Sequence, residues 1–295
     1  MKRSALMAAV LLSAAVTTGA QAADTLAKIA ETGKITLAYR ESSVPFSYLA
    51  GGDKPVGFSV ELSNAVADAV KKKLNKPNLE VALMPVTSQN RIPLISNGTV
   101  DLECGSTTNN TARAKDVSFA VNHFYTGTRL LVKKSSKIRN YADLAKKTVA
   151  STTGTTNALV MRKYNTEKNL DMDIVLGKDH ADAFLLVESD RAVAFAMDDI
   201  LLFGLMANAK NPADFEVVGD ALQVEPYACM LAKDDPAFKK LVDDTFIGLM
   251  KSGEFEKMYT RWFLQPIPPK GVPLNLPMSP QLRENIQAPN DKPAT

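Results

Sequence analysis

The chain has 295 residues, 45% hydrophobic and 23% charged, with a formal net charge of +3. That balance excludes collagen-like, coiled-coil and wholly disordered chains, and the length fits one large domain or two lobes. Without Lys2 and Arg3 the chain holds 33 basic against 32 acidic residues, so charge offers no case for nucleic acid or a membrane surface.

Residues 1–22 read as an export signal. Lys2 and Arg3 form a short positive region, and residues 4–16 are mostly Ala, Leu, Val and Met. That run is shorter than the roughly 20 apolar residues a membrane span needs. Ala20 and Ala22 then place small side chains at the two recognition positions of a cleavage site. No later segment is apolar and long enough to cross a membrane, so a soluble, exported mature protein is expected.

The rest alternates short β-like runs with amphipathic helices. Residues 35–38 predict a strand after a turn at Gly33. Leu62, Ala65, Val66, Ala69, Val70 and Leu74 follow the helical period, with Lys71, Lys72 and Lys73 near the C-terminus, where cations suit the helix dipole. Residues 81–84 predict a second strand, 91–96 a short helix ended by Asn97-Gly98, and 100–104 a third strand. This βαβαβ order implies a parallel sheet covered by helices. The pattern then restarts, with strands at 128–133, 148–150, 174–176 and 192–197. A helical turn at 141–145 and helices at 157–164 and 181–188 lie between them. Two similar α/β halves in series predict two lobes. A strand at 227–231 and helices at 236–250 and 253–262 follow. Residues 265–295 hold eight prolines and predict an extended tail, draped on the surface or partly disordered.

Cys104 and Cys229 are the two cysteines. In an oxidising compartment two thiols favour one disulfide; the alternative is two packed, reduced side chains. Neither His123 nor His180 lies near a cysteine at metal-ligand spacing, so no metal and no cofactor is expected. No nucleophile elbow, phosphate loop or zinc-protease motif occurs.

Polar residues instead gather after the predicted strands, at the edge where parallel α/β sheets bind ligands. Arg40 follows the first strand, Ser88 and Arg91 the second, and Ser106, Thr108 and Arg113 the third. Thr153 and Thr156 precede a helix whose free N–H groups suit an anion. His180 and Asp198 close the later strands. Singly, each has a bland reading as a surface ion pair or a helix cap. The case rests on their coincidence at strand ends.

Residues 56–70, VGFSVELSNAVADAV, resemble the motif of the polar-amino-acid family of periplasmic solute-binding proteins. They depart from it at Ser59, where that pattern has Asp or Glu. RESSVPFSY (40–48), TSQNRIPLISNGTVDLECGSTTNN (87–110), KDHADAF (178–184), RAVAFAMDD (191–199) and QPIPP (265–269) resemble the glutamate/aspartate-binding members that serve ABC importers. The resemblance implies an α/β, two-lobed clamshell of the type II periplasmic-binding fold, each lobe a β-sheet flanked by helices. Lobe 1 would comprise 23–124 and 224–264, lobe 2 would comprise 125–223, and 265–295 would form the tail. It further implies a non-enzymatic, monomeric periplasmic receptor. Its partners would be L-glutamate or L-aspartate and an inner-membrane ABC permease complex, with no nucleic acid.

By the same resemblance Arg113 would hold the ligand α-carboxylate, with Thr108 and the Thr156 region adding hydrogen bonds. Asp198, helped by Ser106, would take the α-ammonium. Arg40, Ser88, Arg91 and His180 would meet the distal carboxylate. Three arginines against one aspartate suggest a site of net charge +2, suited to a ligand of net −1. A protonated His180 would add pH dependence. Two other readings compete. One is an enzyme that dehydrates small carboxylic substrates, with Asp198 or His180 as general acid. The other is a chemoreceptor sensor domain, for which the chain shows no membrane segment or signalling output.

Overall fold

A computed structural model describes residues 24–294. The expected export signal, residues 1–22, lies outside the described residues. Two five-stranded sheets organise the chain. The first has the spatial order Glu80–Pro85, Lys34–Tyr39, Leu102–Glu103, Met230–Ala232, Val117–Phe119. Its first three strands are parallel, in register Lys34 to Glu80 and Leu37 to Leu102. The last two run antiparallel to their neighbours, so the sheet is mixed rather than purely parallel as the βαβαβ pattern suggested. The strand at Val117–Phe119 is too short for a periodicity to reveal it.

The second sheet has the order Asp173–Gly177, Thr148–Thr152, Ala194–Asp198, Thr128–Lys133, Phe215–Val218. Again three strands are parallel and two antiparallel. In both sheets the parallel strands end on the side where the two bodies meet. That shared direction carries the residues after each strand toward one place.

Two short strands, Phe124–Thr126 and Glu225–Tyr227, pair antiparallel between the sheets. The run expected as one strand at 227–231 is therefore two. Glu225–Tyr227 stays in the crossing, and Met230–Ala232 enters the first sheet. The crossing is rooted in an aromatic cluster. Phe46 meets Phe124 at 4.9 Å and Tyr227 at 5.2 Å between ring centroids, and Phe263 stacks on Phe124 at 5.2 Å. Such pairs add about 0.5–1.5 kcal/mol each beyond their area burial.

Helix Phe58–Leu74 buries Phe58, Leu62, Val66 and Val70 on one stripe and ends at Asn75 in the left-handed conformation, with Lys71, Lys72 and Lys73 in its last turn. Ser59, the departure from the family motif, is buried and donates to the Gly105 carbonyl at 3.2 Å. His123 belongs to the core beside Phe58 and Phe246. Burial pushes its imidazole down to about 4, against a smaller upward pull from the Gly105 backbone.

The tail is more structured than its prolines suggest. Pro266–Ile267 pairs with Val272–Pro273, and Ser279 caps a helix at Pro280–Gln287 that buries Leu282 and Asn285. Asn285 Nδ2 donates to the Asn122 carbonyl at 2.6 Å. Ala294 N and Asn109 O pair at 2.9 Å, and Lys239 binds Asp291 at 2.9 Å. These backbone and amide bonds hold the tail together with Ile267 and Leu282, which are buried in the main core cluster, and Leu274, Leu276 and Ile286, which pack against it.

Cys104 and Cys229 form a disulfide across 125 residues of sequence. They extend the pairing of Leu102–Glu103 with Met230–Ala232, whose register joins Met230 to Glu103. The bond thus closes a loop that contains the whole second sheet. Loop-closure entropy predicts that the Cys104→Ala, Cys229→Ala double variant loses about 2–4 kcal/mol of stability. Urea unfolding of the two proteins checks this; an unchanged midpoint would show that the bond adds nothing.

Candidate functional site

The two bodies touch along the ends of their parallel strands. Arg40 follows Lys34–Tyr39 and is 1% exposed. Its Nη2 donates to Ser88 Oγ at 2.9 Å and lies 3.3 Å from His180 Nε2 on the other body. Arg91 opens the short helix Arg91–Ser96 and is also buried. Its Nη1 donates to the Ser106 carbonyl at 3.2 Å and to Thr107 Oγ1 at 2.5 Å. Arg40 Nη1 and Arg91 Nε are buried donors without a hydrogen-bond partner among the described residues. Native proteins pair such groups, because leaving one unsatisfied costs about 1–3 kcal/mol or more for a charged group.

His180 is the first residue of helix His180–Glu188, which Asp179 caps. Arginine can only donate, so Nε2 accepts and Nδ1 carries the proton. Nδ1 then donates to Thr152 Oγ1, 3.0 Å away. Burial, with Arg40 and Arg91 nearby, holds the imidazole well below its usual range. Burial and then the two neighbouring guanidinium groups disfavour the protonated His180 on which the expected pH dependence was conditional.

The opposite end holds Arg113, half-buried, which donates to the Thr108 carbonyl at 2.9 Å and the Gly154 carbonyl at 3.3 Å. Thr156 begins helix Thr156–Lys168, with Thr155 as its cap. Thr108 Oγ1 and Thr156 Oγ1 stand 3.4 Å apart, one from each body. Asp198 ends strand Ala194–Asp198 and is buried. Asn157 Nδ2 donates to it at 2.8 Å, and the Tyr227 hydroxyl donates to its other oxygen. Burial, then the nearby Glu225 carboxylate, pushes Asp198 up to about 7.

All nine expected residues stand at this junction. Ser106 sits beside the arginines, its hydroxyl donating to Ser43 Oγ at 3.1 Å. Thr153 bonds the Gly177 carbonyl at 3.0 Å and takes no part. A surface cleft of about 900 Å³ is lined by Thr156 and Glu225 but not by Arg40, Arg91 or His180, so the convergent chemistry lies elsewhere. Among the described residues no cluster of His, Cys, Asp and Glu could hold a metal, and no helix is long and apolar enough to cross a membrane.

The net charge of +2 is corrected. Glu103 and Glu225 join Asp198, so three buried carboxylates face three guanidinium groups. Glu103 Oε2 accepts from Thr107 Oγ1 at 2.7 Å, and Thr107 in turn accepts from Arg91. Glu225 accepts from Thr108, Thr156 and Gln223. Burial, with Arg91 nearby, lowers Arg40 to about 9 and Arg113 to about 10. Sequence reasoning missed Glu103, Thr107, Asn157, Glu225 and Tyr227. Glu103 alternates with Asp101 among the apolar residues of 100–104, which reads as a solvent-facing strand position. Glu225 and Tyr227 carried no signal, because their relevance depends on the crossing.

Residues 35–265 match the model of bacterial extracellular solute-binding proteins, family 3. The chain is 52% identical over 271 residues to the glutamate/aspartate import solute-binding protein of Escherichia coli K12, covering 92% of this chain and 90% of that one. It is 51% identical over 292 residues to the L-glutamate/L-aspartate-binding protein of Pseudomonas aeruginosa, covering 99% and 96%. A crystal structure of a variant of ArgBP from T. maritima superposes with a TM-score of 0.72 at 26% identity, covering 81% of this chain and 99% of that one. An ancestral arginine-binding protein bound to arginine shares the fold, with a TM-score of 0.71 at 23% identity, covering 78% and 98%. The architecture is the type II periplasmic-binding fold. The two buried sheets, the polar junction between them and these matches agree: the chain belongs to family 3 of the bacterial extracellular solute-binding proteins.

Proposed function

We propose that this protein captures L-glutamate or L-aspartate in the periplasm by closing two lobes around it, and delivers it as a monomer to an ABC permease. Lobe 1 comprises 23–124 and 224–264, and lobe 2 comprises 125–223, with 265–295 as a tail on lobe 1. The observation that carries the reading is the pair of buried donors, Arg40 Nη1 and Arg91 Nε, without acceptors among the described residues. A distal carboxylate supplies those acceptors, with Ser88 and the neutral His180 beside it. Arg113 takes the α-carboxylate and Asp198 the α-ammonium. The relatives named above support the ligand class. Their family consists of solute-binding proteins, which favours capture over turnover.

Calorimetry on ligand-stripped protein tests the assignment. L-glutamate or L-aspartate binds one to one. L-glutamine, which leaves the two arginines without a carboxylate, binds at least about a hundredfold more weakly, because an unpaired buried charge costs roughly 3–5 kcal/mol. Arg91→Gln weakens L-glutamate by a similar factor. Equal affinity for glutamate and glutamine would sink the reading.

Binding also releases a proton. Burial, then the nearby Glu225 carboxylate, pushes Asp198 up to about 7, and an ammonium beside it favours the ionised form. Affinity therefore rises from about pH 5 to pH 7 and levels off above. Titrations at pH 6 in buffers of different ionisation enthalpy should report net proton release; uptake would assign the pH dependence to another group.

Closure has a steric test. Gly204, in helix Asp199–Asn208 of the second body, faces Val44 of the first. A Cβ there would stand 2.5 Å from the Val44 carbonyl oxygen. Gly204→Ala should therefore stabilise its own helix by about 1 kcal/mol yet bind L-glutamate at least about tenfold more weakly. Solution scattering should show a smaller ligand-induced compaction in the variant than in the parent.

A further inference from the structure

We infer that Asn109 is a positioning residue through which the C-terminal tail sets the affinity of the site: residues 290–294 hold the loop that carries Thr108 and Arg113, although none of them is a site residue. The inference rests on the acidic amino-acid reading above, in which Arg113 takes the α-carboxylate.

Residues 104–112, between strand Leu102–Glu103 and the helical turn Arg113–Lys115, belong to no helix and no continuous strand. Their backbone groups therefore need partners from elsewhere in the chain. On one flank Asn109 N donates to the Pro226 carbonyl at 2.8 Å, and Ala228 N donates to the Thr107 carbonyl at 3.0 Å. On the other flank Ala294 N donates to the Asn109 carbonyl at 2.9 Å, and Thr111 N donates to the Ala294 carbonyl at 3.3 Å. Asn110 and Ala294 form a parallel bridge there. The loop thus lies between the crossing strand and the tail.

The side chains fix its register. Asn109 is 1% exposed, and its Nδ2 donates to the Asp291 carbonyl at 2.8 Å and to Asn122 Oδ1 at 3.1 Å. Asn122, also buried, donates from Nδ2 to the Lys292 carbonyl at 2.9 Å and from its backbone N to the Asn290 carbonyl at 3.0 Å. Leaving a buried amide unpaired is costly, so the consecutive carbonyls of 290, 291 and 292 have one place to sit. The tail is itself anchored away from the site. Lys239 binds both Asp291 at 2.9 Å and Asp243 at 2.7 Å, and Asp243 accepts from Val121 N at 2.9 Å.

Arg113 takes its position from the same loop. Its backbone N donates to Asn110 Oδ1 at 2.9 Å, and its Nη1 donates to the Thr108 carbonyl at 2.9 Å. Asn109 is the residue between those two anchors. A loop that loosens at Asn109 moves both, and the ligand must then supply the entropy of ordering it.

The test measures L-glutamate affinity by calorimetry on the stripped protein and on Ala294→Pro, which removes the N–H given to Asn109. Ala294→Gly, which keeps that N–H, is the control. Ala294→Pro should weaken L-glutamate about fivefold, the factor for one hydrogen bond, and Ala294→Gly should leave it unchanged. Asn109→Leu, which removes both side-chain donors, should weaken it about tenfold or more. Each loss should vanish when Arg113 is already changed to Lys, and persist in full when Ser88, at the distal end, is already changed to Ala. A merely structural role would weaken both backgrounds alike. Equal losses in the two backgrounds, or an unchanged affinity in Ala294→Pro, would overturn the inference and leave the acidic amino-acid reading intact. If Asn109→Leu does not fold, or Arg113→Lys binds too weakly to measure, the Ala294→Pro and Ala294→Gly pair decides alone. A parent protein that binds neither L-glutamate nor L-aspartate overturns both.

Discussion

Three guanidinium groups are drawn into the junction between two sheets, and the surrounding structure compensates them. A buried charge left unpaired costs several kcal/mol. The chain meets that cost from three sides: Glu103 on the first sheet, Asp198 on the second and Glu225 on the strand that joins them. Among the described residues the compensation is incomplete at two donor nitrogens, Arg40 Nη1 and Arg91 Nε. That deficit distinguishes a binding site from a structural ion cluster, which satisfies itself. Hydroxyl relays take part in that compensation. Thr107 passes the Arg91 contact on to Glu103, and Thr152 receives the proton that His180 cannot offer to Arg40.

Around this junction the rigid parts are built from ordinary core chemistry. The aromatic cluster of Phe46, Phe124, Tyr227 and Phe263 lies directly behind the crossing strands. The Cys104–Cys229 bond fastens the two ends of the loop that carries the second sheet. Tyr227 belongs to both systems, packing its ring in the cluster and donating its hydroxyl to Asp198. The polar site is thus anchored to the hydrophobic core through one side chain. The tail adds a further brace through Asn122, which accepts from Asn285 and pairs with Asn290 two residues before the crossing begins.

Much of this was legible before any coordinates. The alternation of apolar runs located the parallel strands and most helices, because burial on one stripe or in a sheet core leaves a period in the sequence. Polar residues just beyond those runs located the site, because parallel strands send their C-terminal ends to one edge. The three-residue strands Val117–Phe119 and Glu225–Tyr227 hold too few residues to express a period, whereas Leu102–Glu103 falls inside the strand expected at 100–104. The tail is more ordered than its prolines suggest because amide and backbone bonds, with Ile267 and Leu282 in the core, anchor it.

The class of fold, and the arginine, serine, histidine and aspartate residues that gather between the two sheets, were readable from local pattern and from motifs that stay together in the chain. The charge balance was not. Glu103 and Glu225 reach the arginines through sheet order and a chain crossing, so neither spacing nor composition records the contact. The same holds for His180, whose imidazole is held well below its usual range by burial first and then by Arg40 and Arg91, which lie 140 and 89 residues away in sequence. Protonation and polarity are properties of what surrounds a group, and that is assembled only when distant segments fold together.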